Sequence, residues 1–541
     1  MGSDVQGPPG AGDPALLTAL VGKGTATIGE VLAARVALTP DAPFIEHQQR
    51  RWTYAQGWTE SRRFAGFLTA CDLAGTRVAA FLPKCPEALF AWFGAVLSRG
   101  IYVALNRAHR GPVLADLVAR CGAGLLVTDR EGWEIIGDLL PVGLTQVLFI
   151  DSLPATLPSG LRCHAWRDVA GCGPAEPAAG RPGDIATLLY TSGTTGRSKA
   201  VLVPHNMYCR GAAHLADCFG YHSDDRFHDW MPMSHIGGQL HVTMTAIVAG
   251  ACLIQVPAFS RHRFWEEVRA SDATVFSGFA SILSLLLEAP ASPDDRRHKL
   301  RRGLIGNMPA ELLTAFERRF GVTLLDTYGM SECEPLTLPR VGEMPAGSCG
   351  RVCPDFEVAI LDEDDYSLPL GEPGRICVRP RVPHVMMQAY EGDAEATISA
   401  WRNLWFHTSD RGRFDADGYL YFIDRMKYAI RRGGENISPS EVEQVFLEHP
   451  DVVACAAVGV PDRVMGEEVK IVAVLSAGTQ CDAPALHIYA KTRMAGFMVP
   501  RYIEIATSLP YTVVGKLRRE ELRDINCTSW DARTGSRRMT T

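Results

Sequence analysis

The sequence lacks a basic excess and lacks any long apolar run. The chain of 541 residues carries 54 Lys and Arg against 61 Asp and Glu, a net charge of −7. A nucleic-acid-binding protein needs a concentrated basic face, so this balance argues against a nucleic-acid partner. No apolar stretch approaches the roughly 20 residues that a membrane helix needs, so we expect no membrane partner either.

The sequence also lacks the signs of export and of a disulfide or zinc framework. The first ten residues contain neither a basic segment nor an apolar one, so no signal peptide is predicted. The 15 cysteines are odd in number and scattered, which fits a reducing compartment. Cys349 and Cys353 have no matching second pair, which favours buried structural thiols over a zinc site. We therefore expect a cytoplasmic protein.

What the chain does contain is enough apolar sequence for a large core. Its 47% hydrophobic content excludes global disorder, and its length suggests three or four domain-sized units. Short apolar runs at 78–82, 124–127 and 146–150 alternate with helical patterns. Runs of this kind indicate buried strands in α/β layers. We predict an α/β fold with several layers in the N-terminal part of the chain.

The character of the sequence changes near residue 424. Ser438, Pro439 and Glu441 have the spacing of a capping box, which predicts a helix that ends before Pro450. Strand-like runs follow at 452–460 and 469–475, so this part is predicted to be a small α+β module. Residues 1–25 and 527–541 are expected to be flexible ends.

The first chemical motif covers residues 190–199, directly after a strand-like run. Its glycines let backbone N–H groups turn toward an anion, its hydroxyls add donors, and Lys199 adds positive charge. The spacing G-x2-G-x2-K differs from that of the P-loop. The segment predicts a polyphosphate-binding loop, with an ordinary Ser/Thr/Gly turn as the alternative.

The second motif is Thr327–Glu332, which follows an apolar run and a helix opened by Pro309. A strand that ends in an aromatic residue, a glycine, a hydroxyl and a carboxylate fits a site at the carboxyl end of a sheet. Glu332 could hold Mg²⁺ and Tyr328 could stack on a base. In isolation, a solvated surface carboxylate is the better interpretation of Glu332.

Two further segments each contain a candidate ligand-binding residue, Asp410 in one and Lys516 in the other. Asp410 can accept hydrogen bonds from both vicinal hydroxyls of a ribose, and Arg425 could strengthen that contact. Lys516, beside a glycine, can approach a phosphate closely. In isolation, each is better explained as a surface ion pair or a solvated basic turn.

Taken in this order, the four segments resemble the adenylate-forming superfamily, which contains acyl-CoA synthetases, adenylation domains of peptide synthetases and beetle luciferases. The resemblance extends from about residue 28 to residue 525, and the C-terminal half is most similar to acyl-CoA ligases of the carnitine/crotonobetaine type. It implies a large ATP- and substrate-binding domain over residues 26–426. It also implies a small mobile α+β domain over residues 427–526, hinged at Lys427.

The resemblance implies a reaction in two steps. A carboxylate first attacks the α-phosphate of ATP to give an acyl-AMP and pyrophosphate, and a nucleophile, usually the thiol of coenzyme A, then displaces AMP. The implied ligands are ATP, Mg²⁺ and coenzyme A, together with a small-molecule acid. Because carboxylate and phosphate are both negative, catalysis should depend on positioning and electrostatic stabilisation. The oligomeric state, including a homodimer, stays open.

The resemblance also assigns site residues. The predicted ATP-binding set is Thr191, Ser192, Gly193, Thr194, Thr195, Gly196, Lys199, Tyr328, Gly329, Ser331, Glu332, Asp410 and Arg425. Within it, residues 191–199 would hold the β- and γ-phosphates, Tyr328 the adenine and Glu332 the Mg²⁺. Ser331 would lie near the α-phosphate, and Asp410 with Arg425 would bind the ribose.

The remaining assignments concern catalysis and the acyl and acceptor sites. Lys516 would bridge the ribose and the reacting groups, and His235 would gate the carboxylate pocket, with a core histidine bonded to backbone as the alternative. Gly433 and Gly434 would face the acceptor tunnel. The predicted acyl pocket comprises His235, Asn307, Thr327 and Met330.

Several positions depart from the family pattern. Ser198-Lys199-Ala200 replaces the usual Pro-Lys-Gly, and Cys333 and Glu334 are unusual neighbours of the second motif. Small and polar residues around the acyl pocket favour a small or aromatic acid, of the kind used in secondary metabolism, over a long fatty acid. Alternatives are another acceptor or oxyanion, as in an amide ligase, a carrier-protein ligase or a nitrite-dependent diazotase. A non-enzymatic nucleotide-binding protein is disfavoured because the lysines, carboxylates and Arg425 are all retained.

Overall fold

The fold is taken from a computed structural model of the whole chain. The structure describes residues 21–22, 26–141, 143–154, 156, 159–191, 198–306, 308, 310–425, 429–476, 478–510, 517–525 and 528–537. Residues 1–25, predicted to be flexible, lie almost entirely outside these ranges. The predicted site residues outside them are Ser192–Gly196, Asn307, Lys427 and Lys516.

Two seven-stranded sheets form most of the N-terminal body, and each is parallel except for one antiparallel edge strand. In spatial order, the first contains Thr323–Leu325, Arg302–Gly306, Val275–Phe279, Arg226–Asp229, Cys252–Gln255, Pro43–His47 and Arg50–Thr53. The second contains Arg162–Ala165, Gln146–Phe149, Leu125–Thr128, Arg77–Phe81, Ile101–Ala104, Ile185–Thr191 and Lys199–Pro204. All four residues of Leu125–Thr128 are buried, as expected for a parallel strand covered on both faces.

Smaller antiparallel sheets complete the body. One comprises Phe356–Leu361, Gly374–Pro380, Trp401–Arg402, Trp405–Phe414 and Leu420–Arg425, and another pairs Thr337–Leu338 with Arg351–Val352. A third seven-stranded sheet begins after residue 428, and its strands are Ile430–Arg432, Glu435–Ile437, Val452–Asp462, Gly466–Leu475, Tyr502–Ala506, Trp530–Asp531 and Ser536–Arg537. We call residues 429–537 the C-terminal unit.

Helices separate the parallel strands and cover the sheets. The α-helices are Ile28–Leu38, Tyr54–Ala70, Pro86–Leu97, Gly111–Arg120, Arg130–Ile136, Trp166–Ala170, His205–Phe219, Thr245–Ala249, Phe264–Ala270, Ala280–Leu287, Ala310–Phe320, Ala394–Ala400, Pro439–Leu447 and Ala483–Lys491. Short 3₁₀ segments lie at Gly137–Leu139 and Arg519–Leu522, and a π-helix covers Gly237–Met244. No helix in the described ranges is both long and apolar enough to cross a bilayer.

Buried apolar side chains hold the layers and the C-terminal unit together. One cluster fills the space around the first sheet, with Phe44, Trp92 and Phe276 all fully buried. A second cluster continues from Leu126 in the second sheet to Val442 in the C-terminal unit. The α/β fold with several layers and a smaller C-terminal unit is thereby confirmed.

Two local predictions are wrong. The helix Pro439–Leu447 forms and ends before Pro450 as predicted, but the Ser438 side chain makes no capping hydrogen bond, and the carboxylate of Glu441 binds Ser198. The predicted flexible tail is wrong for residues 528–537, where Trp530–Asp531 pairs with Tyr502–Ala506. Both Asp531 carboxylate oxygens accept hydrogen bonds from Arg501, which explains why this segment is ordered despite its lack of apolar periodicity.

Candidate active site

The candidate site lies where parallel strands of the first sheet end. The strands Arg226–Asp229, Val275–Phe279, Arg302–Gly306 and Thr323–Leu325 lead directly into the segments that carry the predicted residues. Loops after the carboxyl ends of such strands are the usual position for ligands in α/β sheets. A cavity of about 380 Å³ opens there, and we call it the main cavity. It is lined by Thr191, Lys199, His235, Thr327, Tyr328, Gly329, Met330, Ser331, Glu332, Asp410 and Gly434.

The phosphate-loop prediction rests on a hairpin whose tip lies outside the described residues. Thr191 and Lys199 are direct partners in the antiparallel pair formed by Ile185–Thr191 and Lys199–Pro204. Both line the main cavity, so the intervening segment begins and ends at its wall. Of the predicted loop, the structure therefore locates Thr191 and Lys199, and Ser192–Gly196 stay a prediction.

Tyr390 connects Lys199 with Glu332. Its hydroxyl donates to the Glu332 carboxylate at 2.8 Å, and the Lys199 ammonium lies 4.2 Å from the centre of its ring. Burial, and then the Glu332 charge, raise the pKa of Tyr390, so the hydroxyl stays a donor. The backbone N–H of Met387 donates to the Glu332 carbonyl at 2.7 Å. Glu332 is thus held at the cavity wall, and carboxylate oxygens are ligands that Mg²⁺ prefers.

The predicted ribose site is a buried carboxylate on an antiparallel strand pair. Asp410 is 1% exposed and lies opposite Arg425 in the register of Trp405–Phe414 and Leu420–Arg425. The Tyr328 hydroxyl donates to Asp410 Oδ2 at 2.9 Å. Burial and the Asp410 charge raise the pKa of Tyr328. Tyr328 therefore orients Asp410, a role that the motif alone did not indicate, and the side chain of Arg425 lies outside the described part.

His235 is neutral, and its hydrogen bonding identifies the tautomer. The backbone N–H of Gly237 donates to Nδ1 at 3.0 Å, so the ring proton must be on Nε2. Burial, followed by the charge of His241, lowers the pKa of His235 to about 4. The ring packs edge-on against Phe279, with centroids 5.5 Å apart. His235 thus bonds to backbone and also lines the main cavity, and its gating of the carboxylate pocket stays a prediction.

A π-helix directly after His235 carries a second histidine into the site. Its wider turn is stabilised by Thr243 and Thr245, whose hydroxyls donate to carbonyls five residues earlier. Such segments are often found at functional sites. His241 Nε2 lies 2.9 Å from Glu334 Oε1, and both residues line the main cavity. Glu334 is only 4% exposed.

The C-terminal unit closes the other side of the cavity with a tight hairpin. Gly433 and Gly434 connect Ile430–Arg432 to Glu435–Ile437, and both have positive φ, +61° and +93°. A Cβ on Gly434 would lie 2.3 Å from the Phe279 ring, so only glycine allows this approach. Gly434 therefore lies at the wall of the main cavity, and the acceptor role of Gly433 and Gly434 stays a prediction.

A second cavity of about 810 Å³ separates the C-terminal unit from the body, and we call it the interdomain cavity. It shares Phe279, Gly306, Phe422, Arg431 and Gly434 with the main cavity. Its other end is lined by residues that include Arg463, Arg519 and Arg523. The two spaces therefore meet at the Phe279–Gly434 contact.

A third, small cavity of about 90 Å³ lies on the phosphate-loop side of His235. Thr191, His235, Ser331, Gly434 and Asn436 line both this space and the main cavity. Glu435 also lines it, and burial raises the pKa of that carboxyl to about 7. The reacting groups of an adenylation would have to meet between these residues.

Sequence reasoning missed several of these residues. Tyr390, His241 and Phe279 stand in no motif, and only their contacts reveal them. Glu441 was assigned to a local cap although it reaches Ser198. Glu334 could have been found, because an acidic residue next to the second motif was already an unusual feature.

Comparisons with known proteins agree with this geometry. The family model of AMP-binding enzymes matches residues 32–390, and that of their C-terminal domain matches residues 441–516. The crotonobetaine/carnitine–CoA ligase of Salmonella choleraesuis (strain SC-B67) is 32% identical over 488 residues, covering 88% of this chain and 93% of the relative.

Two solved structures have the same fold over almost their whole length. The o-succinylbenzoate CoA synthetase of Bacillus subtilis, a double mutant bound to a product analogue, has a TM-score of 0.78 at 25% identity and covers 92% of this chain and 98% of its own. The amide bond synthetase of Marinactinospora thermotolerans has a TM-score of 0.78 at 26% identity, covering 91% and 99%. The chain belongs to the AMP-binding enzyme family of the adenylate-forming superfamily, and it is an AMP-forming ligase.

Proposed function

We propose that this protein is an ATP-dependent acid–CoA ligase. It activates a small or aromatic carboxylic acid as an acyl-AMP with release of pyrophosphate, and then transfers the acyl group to the thiol of coenzyme A. The curated relative with 32% identity is named a CoA ligase, and one of the two structural neighbours is named a CoA synthetase.

The observation that carries the proposal is the meeting of two cavities at the Phe279–Gly434 contact. The main cavity contains the residues expected to hold the acyl-AMP, and the interdomain cavity reaches the same point from the other side. A second substrate with a long, thin end can therefore approach an activated acid without displacing the nucleotide. The pantetheine arm of coenzyme A has this shape.

Arginines at the other end of the interdomain cavity suit the phosphates of coenzyme A. Arg463 has a side chain that is 89% exposed, and Arg519 and Arg523 lie on the same cavity wall. Guanidinium groups bind phosphate through two parallel hydrogen bonds. Arg519 and Arg523 are paired with Glu443 and Glu467, so Arg463 is the guanidinium group most open to a phosphate.

For the first step, the residues of the main cavity supply positioning and electrostatic stabilisation. His235 Nε2–H can donate to an oxygen of the bound acid, and its low pKa keeps it a neutral donor at pH 7. Lys199 offers positive charge to the phosphates. Glu332 would hold Mg²⁺, which would neutralise phosphate charge when bound. Lys516 is proposed to bridge the reacting groups during this step.

We further propose that the described arrangement belongs to the second step. The hairpin at Gly433–Gly434 is at the site, and a rotation about Lys427 would exchange it for Lys516. Domain closure of this kind gates many two-step enzymes. Lys516→Ala should then slow adenylation strongly and leave transfer from supplied acyl-AMP intact.

The test is a panel of acids, with nitrite included, incubated with ATP in the presence and absence of coenzyme A and aryl amines. Pyrophosphate release identifies the activated acid, and mass analysis identifies the product. The proposal requires that the product formed with ATP, the acid and coenzyme A is an acyl-CoA. An amide would favour an acceptor like that of the amide bond synthetase neighbour, and a diazo product from nitrite would favour a diazotase.

A further inference from the structure

The far end of the main cavity contains a buried acidic group that the adenylation chemistry does not use. Thr191, His235 and Ser331 line both the small cavity and the main cavity, so the reacting carboxylate belongs there. Glu334 and His241 line only the main cavity. His241 lies close enough to His235 for its charge to lower the pKa of His235, so we place the part of the acid beyond its carboxylate beside this pair.

The Glu334–His241 pair leaves one carboxylate oxygen for a ligand. A carboxylate can only accept, so His241 Nε2–H donates to Oε1 at 2.9 Å. Among the described residues, no hydrogen bond to Oε2 is found. This oxygen lies over Gly329, 2.2 Å from the position that a Cβ would occupy there.

The surroundings of Glu334 favour a further hydrogen-bond donor to its carboxylate. Glu334 is 4% exposed, and within the described ranges its ion-pair partner is a histidine, with no lysine or arginine within 4.0 Å. A largely buried carboxylate gains from each donor that reaches it, and a ligand in the main cavity can supply one. Neighbouring His235 is neutral and bonded to backbone through Nδ1, so it does not compensate the charge.

From these contacts we infer that Glu334 is a specificity-determining residue that recognises a hydrogen-bond donor, an amine or a hydroxyl, on the activated acid. The inference rests on the proposed function and narrows its substrate class to amino- or hydroxy-substituted small acids. His241 is a positioning residue, because its hydrogen bond fixes the Glu334 carboxylate. Sites built to bind a donor reject the analogue that lacks it, because the acceptor is then left unpaired.

The test compares matched acids by kcat/KM for pyrophosphate release. The panel contains aminobenzoates and hydroxybenzoates, the methylbenzoates of similar size, and a trimethylammonium acid, which is cationic but cannot donate. For the wild-type enzyme we expect a preference of about 10- to 100-fold for a donor-bearing acid over its methyl counterpart. This comparison uses the wild-type enzyme alone, so it does not depend on whether a variant folds.

Glu334→Leu should reduce that preference to nearly one. Glu343→Gln changes an exposed glutamate and should preserve the wild-type preference. The inference alone is overturned if the wild-type enzyme prefers methyl or trimethylammonium acids, or if Glu334→Leu keeps the donor preference. If no acid releases pyrophosphate, the proposed function fails together with it.

Discussion

Glu441 of the C-terminal unit accepts hydrogen bonds from both the backbone N–H and the hydroxyl of Ser198, at the edge of the predicted phosphate loop. The N–H bond is 2.8 Å long, and the two residues are 243 positions apart. Ser198 stands where the family usually has proline, which has no N–H to donate. This contact therefore joins the C-terminal unit to the N-terminal body through a serine that is unusual at this position in the family.

Loss of the Glu441 carboxylate should slow the second step selectively. Glu441→Ala leaves two buried donors of Ser198 unpaired, which disfavours the described arrangement by about 1–3 kcal/mol. Acyl transfer from supplied acyl-AMP should fall about 10-fold or more while pyrophosphate release is preserved. Glu448→Ala, at an exposed glutamate next to the same helix, is the control. Equal slowing of both half-reactions would argue against this role.

Gly434→Ala should block the acceptor side of the site. An added Cβ collides with the Phe279 ring at 2.3 Å, so acyl transfer should be lost before adenylation is affected. Gly478→Ala is the matched control, because Gly478 also has a positive φ, +82°, but has open space around it. Single-turnover assays of each half-reaction measure the effect. If both variants behave alike, backbone strain and not the Phe279 contact is responsible.

His235 should act as a neutral donor over the whole physiological pH range. Burial lowers its pKa to about 4, so protonation is resisted until the pH falls well below the usual value of 6.5. The adenylation rate should therefore show no inflection near pH 6.5 from this residue. His235→Phe should lose about 100-fold in that rate, as expected for a lost oxyanion donor. An inflection near 6.5 that disappears in this variant would contradict the assignment.

Glu435 should make the second step depend on pH. Burial raises its pKa to about 7, so the described arrangement binds a proton that the solvated carboxyl releases near 4.5. The stabilisation of this arrangement is therefore lost as the pH rises through 7. The ratio of acyl-transfer rates, wild type to Glu435→Gln, should fall between pH 6 and pH 8. Dividing the two rates removes the effect of thiol ionisation, because that effect is the same in both enzymes. A ratio that stays constant over this pH range would show that Glu435 does not control the second step.

Tyr390→Phe should weaken the use of Mg²⁺ and ATP. The substitution removes the hydroxyl that donates to Glu332 at 2.8 Å but retains the ring beside Lys199. We expect the Mg²⁺ concentration for half-maximal pyrophosphate release to rise about 10-fold. Tyr366→Phe, at a residue that is 74% exposed, should leave it unchanged. An unaltered Mg²⁺ requirement in Tyr390→Phe would show that Tyr390 does not position Glu332.

The sequence predicted the parts of this protein that local patterns encode. Apolar runs such as 124–127 form strands covered on both faces. Lys199 begins the strand Lys199–Pro204, Glu332 follows the strand Thr323–Leu325, and Asp410 lies within the strand Trp405–Phe414. Contacts between distant segments could not be predicted in this way. Glu441 fits a capping box equally well on sequence alone, and only the packing of the C-terminal unit directs it to Ser198. The His241–Glu334 pair likewise depends on a π-helical turn that no residue pattern predicts.

The central claim is that one active site adenylates an acid and then passes it to coenzyme A. The most direct measurement is the stoichiometry of pyrophosphate, AMP and acyl-CoA in the wild-type enzyme with its preferred acid. The account predicts equal amounts of all three when coenzyme A is present. Formation of ADP and phosphate, or release of pyrophosphate and AMP with no acyl-CoA at any coenzyme A concentration, would contradict it.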